Sequence, residues 1–274
     1  MTRHETDPAP FSTDLLAGRT ALVTGGGSGL GKAIATGLSM AGADVVIAAR
    51  RLERLEEAAA EITAVTGNAV AVDQVDIRDR ETVEALAGRH DVEILVNNAG
   101  GQFPQKARDF SPNGWNSVVD LNLNGTWAMT QVFGNQMLDR AAAGGVGGSI
   151  VQIVAIVGRG IPGIAHSASA RAAVIELSKT LAFEWGPSVR INCVAPGAFH
   201  TDGWEATYDP EVGDMTGVPL PYPGRPTDIA NAAVFLASPA SAFITGACLD
   251  VDGGQLLHGT ISALPPGAYE EREL

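Results

Sequence analysis

The run Thr24-Gly25-Gly26-Gly27-Ser28-Gly29-Leu30-Gly31 restricts what this chain can become more than any other segment. It follows a strand-length apolar run at 20–24 and leads into a helix-period stretch opening at Lys32. Such a turn bends sharply and leaves backbone N–H groups at a helix N-terminus, where the helix dipole favours an anion. In this arrangement Gly25 makes the turn, Gly29 lets the backbone approach a pyrophosphate, and Gly31 permits close helix packing. Gly27, Ser28 and Leu30 complete a dinucleotide-binding turn.

The rest of the chain repeats the strand–helix alternation. Apolar runs fall at 45–49, 69–72, 94–96, 150–155 and 189–195, with a last one near Leu249. Between the early runs lie amphipathic stretches such as 51–65, apolar or alanine on one side and charged at Arg54, Glu56 and Glu57 on the other. Alternation of this kind implies right-handed βαβ crossovers and a parallel sheet covered on both faces. The expected architecture is α/β: a Rossmann-type doubly wound, seven-stranded parallel sheet in a single domain. No repeat or linker divides residues 15–261. Residues 1–14 read as a disordered or extended arm and 262–274 as a tail. Residues 202–226, long and rich in Gly and Pro with Trp204 among them, read as a lid.

The end of the second strand speaks to the cofactor. An NAD site places a carboxylate there for the ribose 2′-hydroxyl, whereas this chain has Ala48-Ala49-Arg50-Arg51. A guanidinium grips a 2′-phosphate through paired charge-assisted hydrogen bonds, so NADP is the expected cofactor. The alternative, two solvated charges at a helix start, is disfavoured because cations are unfavourable near a helix N-terminus. A net charge of −13 argues against nucleic acid and against an anionic membrane surface. With only two cysteines there is no disulfide framework, and a reducing cytoplasm is the expected home.

Together with Asn97-Asn98-Ala99-Gly100 and Pro196-Gly197, the glycine motif resembles that of the classical short-chain dehydrogenase/reductase family. The resemblance spans roughly residues 15–256. It implies that Asp76 and Ile77 touch the adenine and that Asn98, Ala99 and Gly100 line the cofactor cleft. Pro196, Gly197, Ala198, Phe199 and Thr201 would lie beside the nicotinamide. The family also implies a homo-oligomer, a tetramer, acting on a small molecule.

The family's catalytic Asn, Ser, Tyr and Lys are matched only in part. Asn122 falls on the asparagine, the serine position falls on Ala155 or Val154, and Tyr-x-x-x-Lys falls on Ser167 to Arg171. A rival register puts His166 at the tyrosine, but positions i and i+4 share a helix face and i and i+5 do not. A serine hydroxyl is far less acidic than a phenol, and arginine does not exchange protons near neutral pH. Arg171 would then hold the nicotinamide ribose as a cofactor ligand.

Gly100-Gly101-Gln102-Phe103, Trp115 and the helix start at His166 resemble the branch containing peroxisomal trans-2-enoyl-CoA and 2,4-dienoyl-CoA reductases. That resemblance implies NADPH-dependent reduction of the C=C bond of a 2-enoyl thioester, with an acyl-CoA as substrate. It places Asn124 at the substrate carbonyl and Gln102, Phe103 and Trp204 along the substrate. The branch's assisting tyrosine falls on Ile156, leaving its proton source unidentified. Against a CoA ester stand the acidic residues Asp202, Glu205, Asp209, Glu211 and Asp214, although Lys106, Arg108 or Arg159 can meet its phosphates. The competing readings are an alcohol/ketone oxidoreductase on a hydrophobic substrate and a catalytically inactive NADP-binding protein.

Overall fold

Continuous apolar runs become buried strands at the centre of the sheet, where helices cover both faces, while the edge strands keep exposed positions. The computed structural model describes residues 10–158, 160–199, 201 and 218–257. Its strands are β1 (Thr20–Thr24), β2 (Asp44–Ala49), β3 (Val70–Gln74), β4 (Ile94–Asn97), β5 (Gly148–Ile153), β6 (Val189–Pro196) and β7 (Cys248–Val251). They form one seven-stranded sheet in the order β3-β2-β1-β4-β5-β6-β7, every neighbouring pair parallel. The expected doubly wound sheet is present.

Alternation along the strands divides the core into two layers. Val23, Ile47, Val96 and Val151 pack on α1 (Gly29–Met40), α2 (Leu52–Thr66) and α7 (Pro226–Ala237). Leu22, Val46, Leu95 and Ile150 face α3 (Arg80–Ala87), α5 (Thr126–Ala142) and α6 (Ala165–Trp185). The chain reverses its winding between β1 and β4, opening a crevice at their carboxyl ends, the usual place for a ligand in such sheets.

Several boundaries differ from the sequence reading by a residue or more. The first helix starts at Gly29 rather than Lys32, so the last glycines of the turn belong to it. The fifth strand stops at Ile153, leaving Val154 and Ala155 in the loop at the crevice. Of the expected arm, Phe11 packs on the core, next to the start of the domain, where Leu15 packs alongside and the Leu16 N–H donates to the Ala41 carbonyl at 2.8 Å. Most of the lid (202–217) and all of the 262–274 tail lie outside the described residues. From Val218 the chain packs on the end of β7, where the Leu220 N–H donates to the Gly253 carbonyl at 3.0 Å. Among the described residues, no helix is long and apolar enough to cross a membrane.

Candidate active site

At the carboxyl ends of β1 and β4 two loops are bound to each other through their side chains. The Thr24 hydroxyl accepts the N–H groups of Asn98 and Ala99, each at 3.0 Å. Asn98 returns a bond from Nδ2 to the Thr24 carbonyl at 3.0 Å. Gly25 takes a φ of +67°, a left-handed value that a side chain would strain. Ser28 stands at the N-cap of α1 without a side-chain capping bond, and the first turn has no acidic residue. The N–H groups there keep their capacity for an anion.

This cradle forms one end of a cavity of about 520 Å³. Gly25, Gly27, Ser28, Gly29, Leu30 and Gly31 line it, as do Asn98, Ala99 and Gly100. Arg50 and Arg51 line its outer end together with Arg54, four residues after Arg50 on the first turns of α2. Asp76 and Ile77 border the same end. Arg78, bonded to Asp76 at 2.5 Å, holds that carboxyl below the usual aspartate range. Pro196, Gly197, Phe199 and Thr201 close the opposite wall.

The inner wall is backed by the start of α6 and by a π-helical turn at Asp120–Gly125, which continues directly from α4 (Pro112–Val119). Asn122 is buried: its Oδ1 accepts the Gly101 N–H at 2.9 Å, and its Nδ2 donates to the Gly101 carbonyl and to Ser167 Oγ. Ser167 is fully buried and its hydroxyl is saturated. It donates to Gln102 Oε1 at 2.6 Å and accepts from Asn122 Nδ2 and Arg171 Nε, both at 3.2 Å. A hydroxyl has one proton and two lone pairs, and all three are used. Arg171 also donates to the Ile153 and Val154 carbonyls at 3.1 and 2.9 Å. Gln102, Arg171 and Ala155 line the cavity; Ser167 and Asn122 stand behind them.

A family model described as Enoyl-(Acyl carrier protein) reductase matches residues 25–255. A solved structure described as a short chain dehydrogenase/reductase family protein is 38% identical, with a TM-score of 0.80 over 89% of this chain and 99% of its own. The chain belongs to the short-chain dehydrogenase/reductase family. The peroxisomal 2,4-dienoyl-CoA reductase of Danio rerio is 39% identical, over 90% of this chain and 84% of its own length. A structure from Agrobacterium tumefaciens with bound NADP, provisionally named a 2-deoxy-d-gluconate 3-dehydrogenase, is 35% identical with a TM-score of 0.81, covering 90% of this chain and all of its own. Membership makes the chain an oxidoreductase using a nicotinamide dinucleotide, which the glycine cradle and arginine-lined mouth fit.

Several residues picked out in the sequence lie elsewhere than expected for this short-chain dehydrogenase/reductase. Asn124 is exposed and donates to Asp120 Oδ1 at 2.7 Å, outside the cavity. Residues two apart on a helix point to nearly opposite sides, so burying Asn122 turns Asn124 outward. Ala198 is turned from the cofactor cavity, buried against Val218, with its N–H donating to Gln255 Oε1 at 2.8 Å. Phe103 does not line the cavity but packs edge-on against His166, with ring centroids 4.7 Å apart. Trp204 lies outside the described residues.

His166 does not line the cavity but is enclosed by Phe103, Phe110 and Trp115. Its Nδ1 accepts the Ser167 N–H at 2.8 Å, and burial lowers its pKa below the usual histidine value of 6.5. Arg54, in sequence only a charge on the exposed face of α2, joins the cavity mouth because it stands one helical turn after Arg50.

Two outcomes follow from this geometry. The unfolded chain protonates His166 as pH falls through about 6.5 while the folded chain resists, so stability decreases below that pH. The Asp76 carboxyl, lowered by Arg78, gives way only at more acid pH. His166→Phe should flatten the dependence between pH 7 and 5 in urea titrations; an unchanged slope would remove His166 as its source. Arg171→Ala removes a charged donor from two strand-end carbonyls and should cost about 1–3 kcal/mol in the same measurement. Unaltered stability would show that these bonds contribute nothing.

Proposed function

We propose that this chain uses NADPH to reduce the carbon–carbon double bond of a 2-unsaturated acyl thioester of the enoyl-CoA type. The observation that carries this reading is the inner wall of the cavity: Ala155, Gln102 and Arg171, with a saturated Ser167 behind them. Alcohol–ketone exchange needs an acid that trades a proton with an alkoxide. Arginine is too basic for that work, and the only proton of Ser167 is already given to Gln102. Conjugate reduction instead builds charge on a thioester oxygen, which preorganised hydrogen-bond donors stabilise without a strong acid. The 2,4-dienoyl-CoA reductase name of the Danio rerio relative supports the same reading.

NADPH, when bound, supplies the hydride. In our reading the N–H groups of 28–31 hold the pyrophosphate and Arg50, Arg51 and Arg54 the 2′-phosphate. Asp76 and Ile77 border the adenine, and Arg171 lies at the nicotinamide ribose, charged throughout. Pro196, Gly197, Phe199 and Thr201 form the nicotinamide wall. Gln102 takes the place expected for Asn124: its carboxamide lines the cavity and is pinned by Ser167, so it orients the thioester oxygen. Ser167 and Asn122 are positioning residues. The NADP-bound relative from Agrobacterium tumefaciens supports the choice of the phosphorylated cofactor.

NADPH should bind more tightly than NADH by roughly 1.5–3 kcal/mol, the scale of charged hydrogen bonds. Arg50→Ala should remove most of that preference while leaving NADH binding nearly intact. Titration calorimetry decides it, and equal affinities in the unaltered chain would refute the arginine assignment. In a spectrophotometric assay, NADPH should be oxidised with medium-chain 2-enoyl-CoA or 2,4-dienoyl-CoA, with little turnover of the matching secondary alcohol. Gln102→Ala should lower kcat about a hundredfold, the typical loss of one oxyanion donor, with NADPH affinity retained. Brisk alcohol oxidation without thioester turnover would overturn the proposal.

A further inference from the structure

The last two strands carry both cysteines of the chain, and the register sets them face to face. Cys193 in β6 is paired with Cys248 in β7. Side chains at paired positions of parallel strands project to the same side, and these two enter one small apolar cluster with Val154, Val174 and Leu256. Neighbouring strands run about 4.7–4.9 Å apart, inside the roughly 4.4–6.8 Å between Cα atoms that a disulfide tolerates. Cβ atoms that project to the same side keep about that strand spacing, slightly beyond the roughly 3.5–4.5 Å of a disulfide. Closing the bond therefore needs a small local approach of the strands. β7 can make it, since among the described residues it pairs with β6 alone.

We infer that Cys193 and Cys248 form a dithiol site that hydroperoxides convert to a disulfide joining β6 to β7. The two thiols differ in access: Cys193 is 1% exposed, and Cys248 is only partly buried. They also act on each other. The Cys248 thiol holds the Cys193 pKa below the ordinary thiol value despite burial, while Cys193 and burial push Cys248 upward. The Cys193 S–H also lies 3.3 Å from Ser178 Oγ, and Lys179 places positive charge near both sulfurs.

The accessible Cys248 sulfur takes an oxygen from the hydroperoxide while still a thiol, its proton passing to the departing oxygen. The O–O bond breaks, an alcohol (water, from hydrogen peroxide) leaves, and a sulfenic acid forms. The Cys193 sulfur then attacks the Cys248 sulfur; the S–S bond forms, the S–O bond breaks, and hydroxide leaves with the Cys193 proton as water. Two thiols lose one electron each, and the peroxide gains both. The strand so linked adjoins the cofactor cavity, because the Gly197 N–H donates to the Val251 carbonyl at 3.0 Å.

With only two cysteines in the chain, any intrachain disulfide must be this one. The reduced, folded protein would be treated with hydrogen peroxide, quenched with an alkylating agent and weighed intact. The expected product is a monomer lighter by two hydrogens, unalkylated, and returned to the dithiol by dithiothreitol. A parallel treatment in denaturant shows whether the fold promotes the bond, and the folded sample should oxidise faster. Cys193→Ser and Cys248→Ser should each abolish the lighter monomer. The proposal fails if both thiols stay alkylatable, if oxygen adds to Cys248 without loss of the Cys193 thiol, or if the disulfide forms only in denaturant.

Discussion

A methyl group at position 31 would stand 2.2 Å from the Gly25 carbonyl oxygen and 2.5 Å from Asn98 Nδ2, closer than atoms can approach. Helix α1 therefore reaches the first loop only because residue 31 has no side chain, and the site depends on that contact. It brings the N–H groups of the first turn to the mouth of the crevice. It also leaves Asn98 close enough to bond the Thr24 carbonyl, so the loops after β1 and β4 are fixed to each other. Gly100 then falls where an added Cβ would lie 3.1 Å from both Arg171 Nη2 and Asn122 Oδ1. The backbone packing of the cradle thus reaches the inner wall through three residues of one loop.

The fold was legible because its signals are local or periodic. Buried parallel strands have to be apolar along their whole length, and a glycine turn between strand and helix has few other uses. The strand ends were less legible. At the end of β5 the apolar run continues through Val154 and Ala155, but the strand stops at Ile153, and the carbonyls of Ile153 and Val154 turn to Arg171. Sequence periodicity records apolar character and cannot show which partner a carbonyl takes.

Site residues were legible where position alone decides them, as with Arg50, whose place at the end of β2 puts it at the cavity mouth. They were illegible where a side chain must choose between neighbours. Asn124 and Asn122 look interchangeable in Asn-Leu-Asn, and only the packing of the π-helical turn against Gly101 and Ser167 separates them. His166 and Ser167 are adjacent, and the sequence offers both to the tyrosine position. What divides them is an aromatic enclosure built by Phe103, Phe110 and Trp115, residues remote in sequence from α6.

The substitutions on α6 are coupled to one another by hydrogen-bond geometry. A half-buried guanidinium carries five N–H donors and cannot shed its charge, so it needs acceptors nearby. The strand-end carbonyls supply two, and the Ser167 hydroxyl supplies a third on the same helix face. In accepting from Arg171 and Asn122, that hydroxyl must send its proton elsewhere, and Gln102 Oε1 receives it at 2.6 Å. Arginine and serine together thereby draw a carboxamide from the loop after β4 into the wall. The wall gains an amide in place of an acid, and any proton delivered to a product has to come from outside this group of residues.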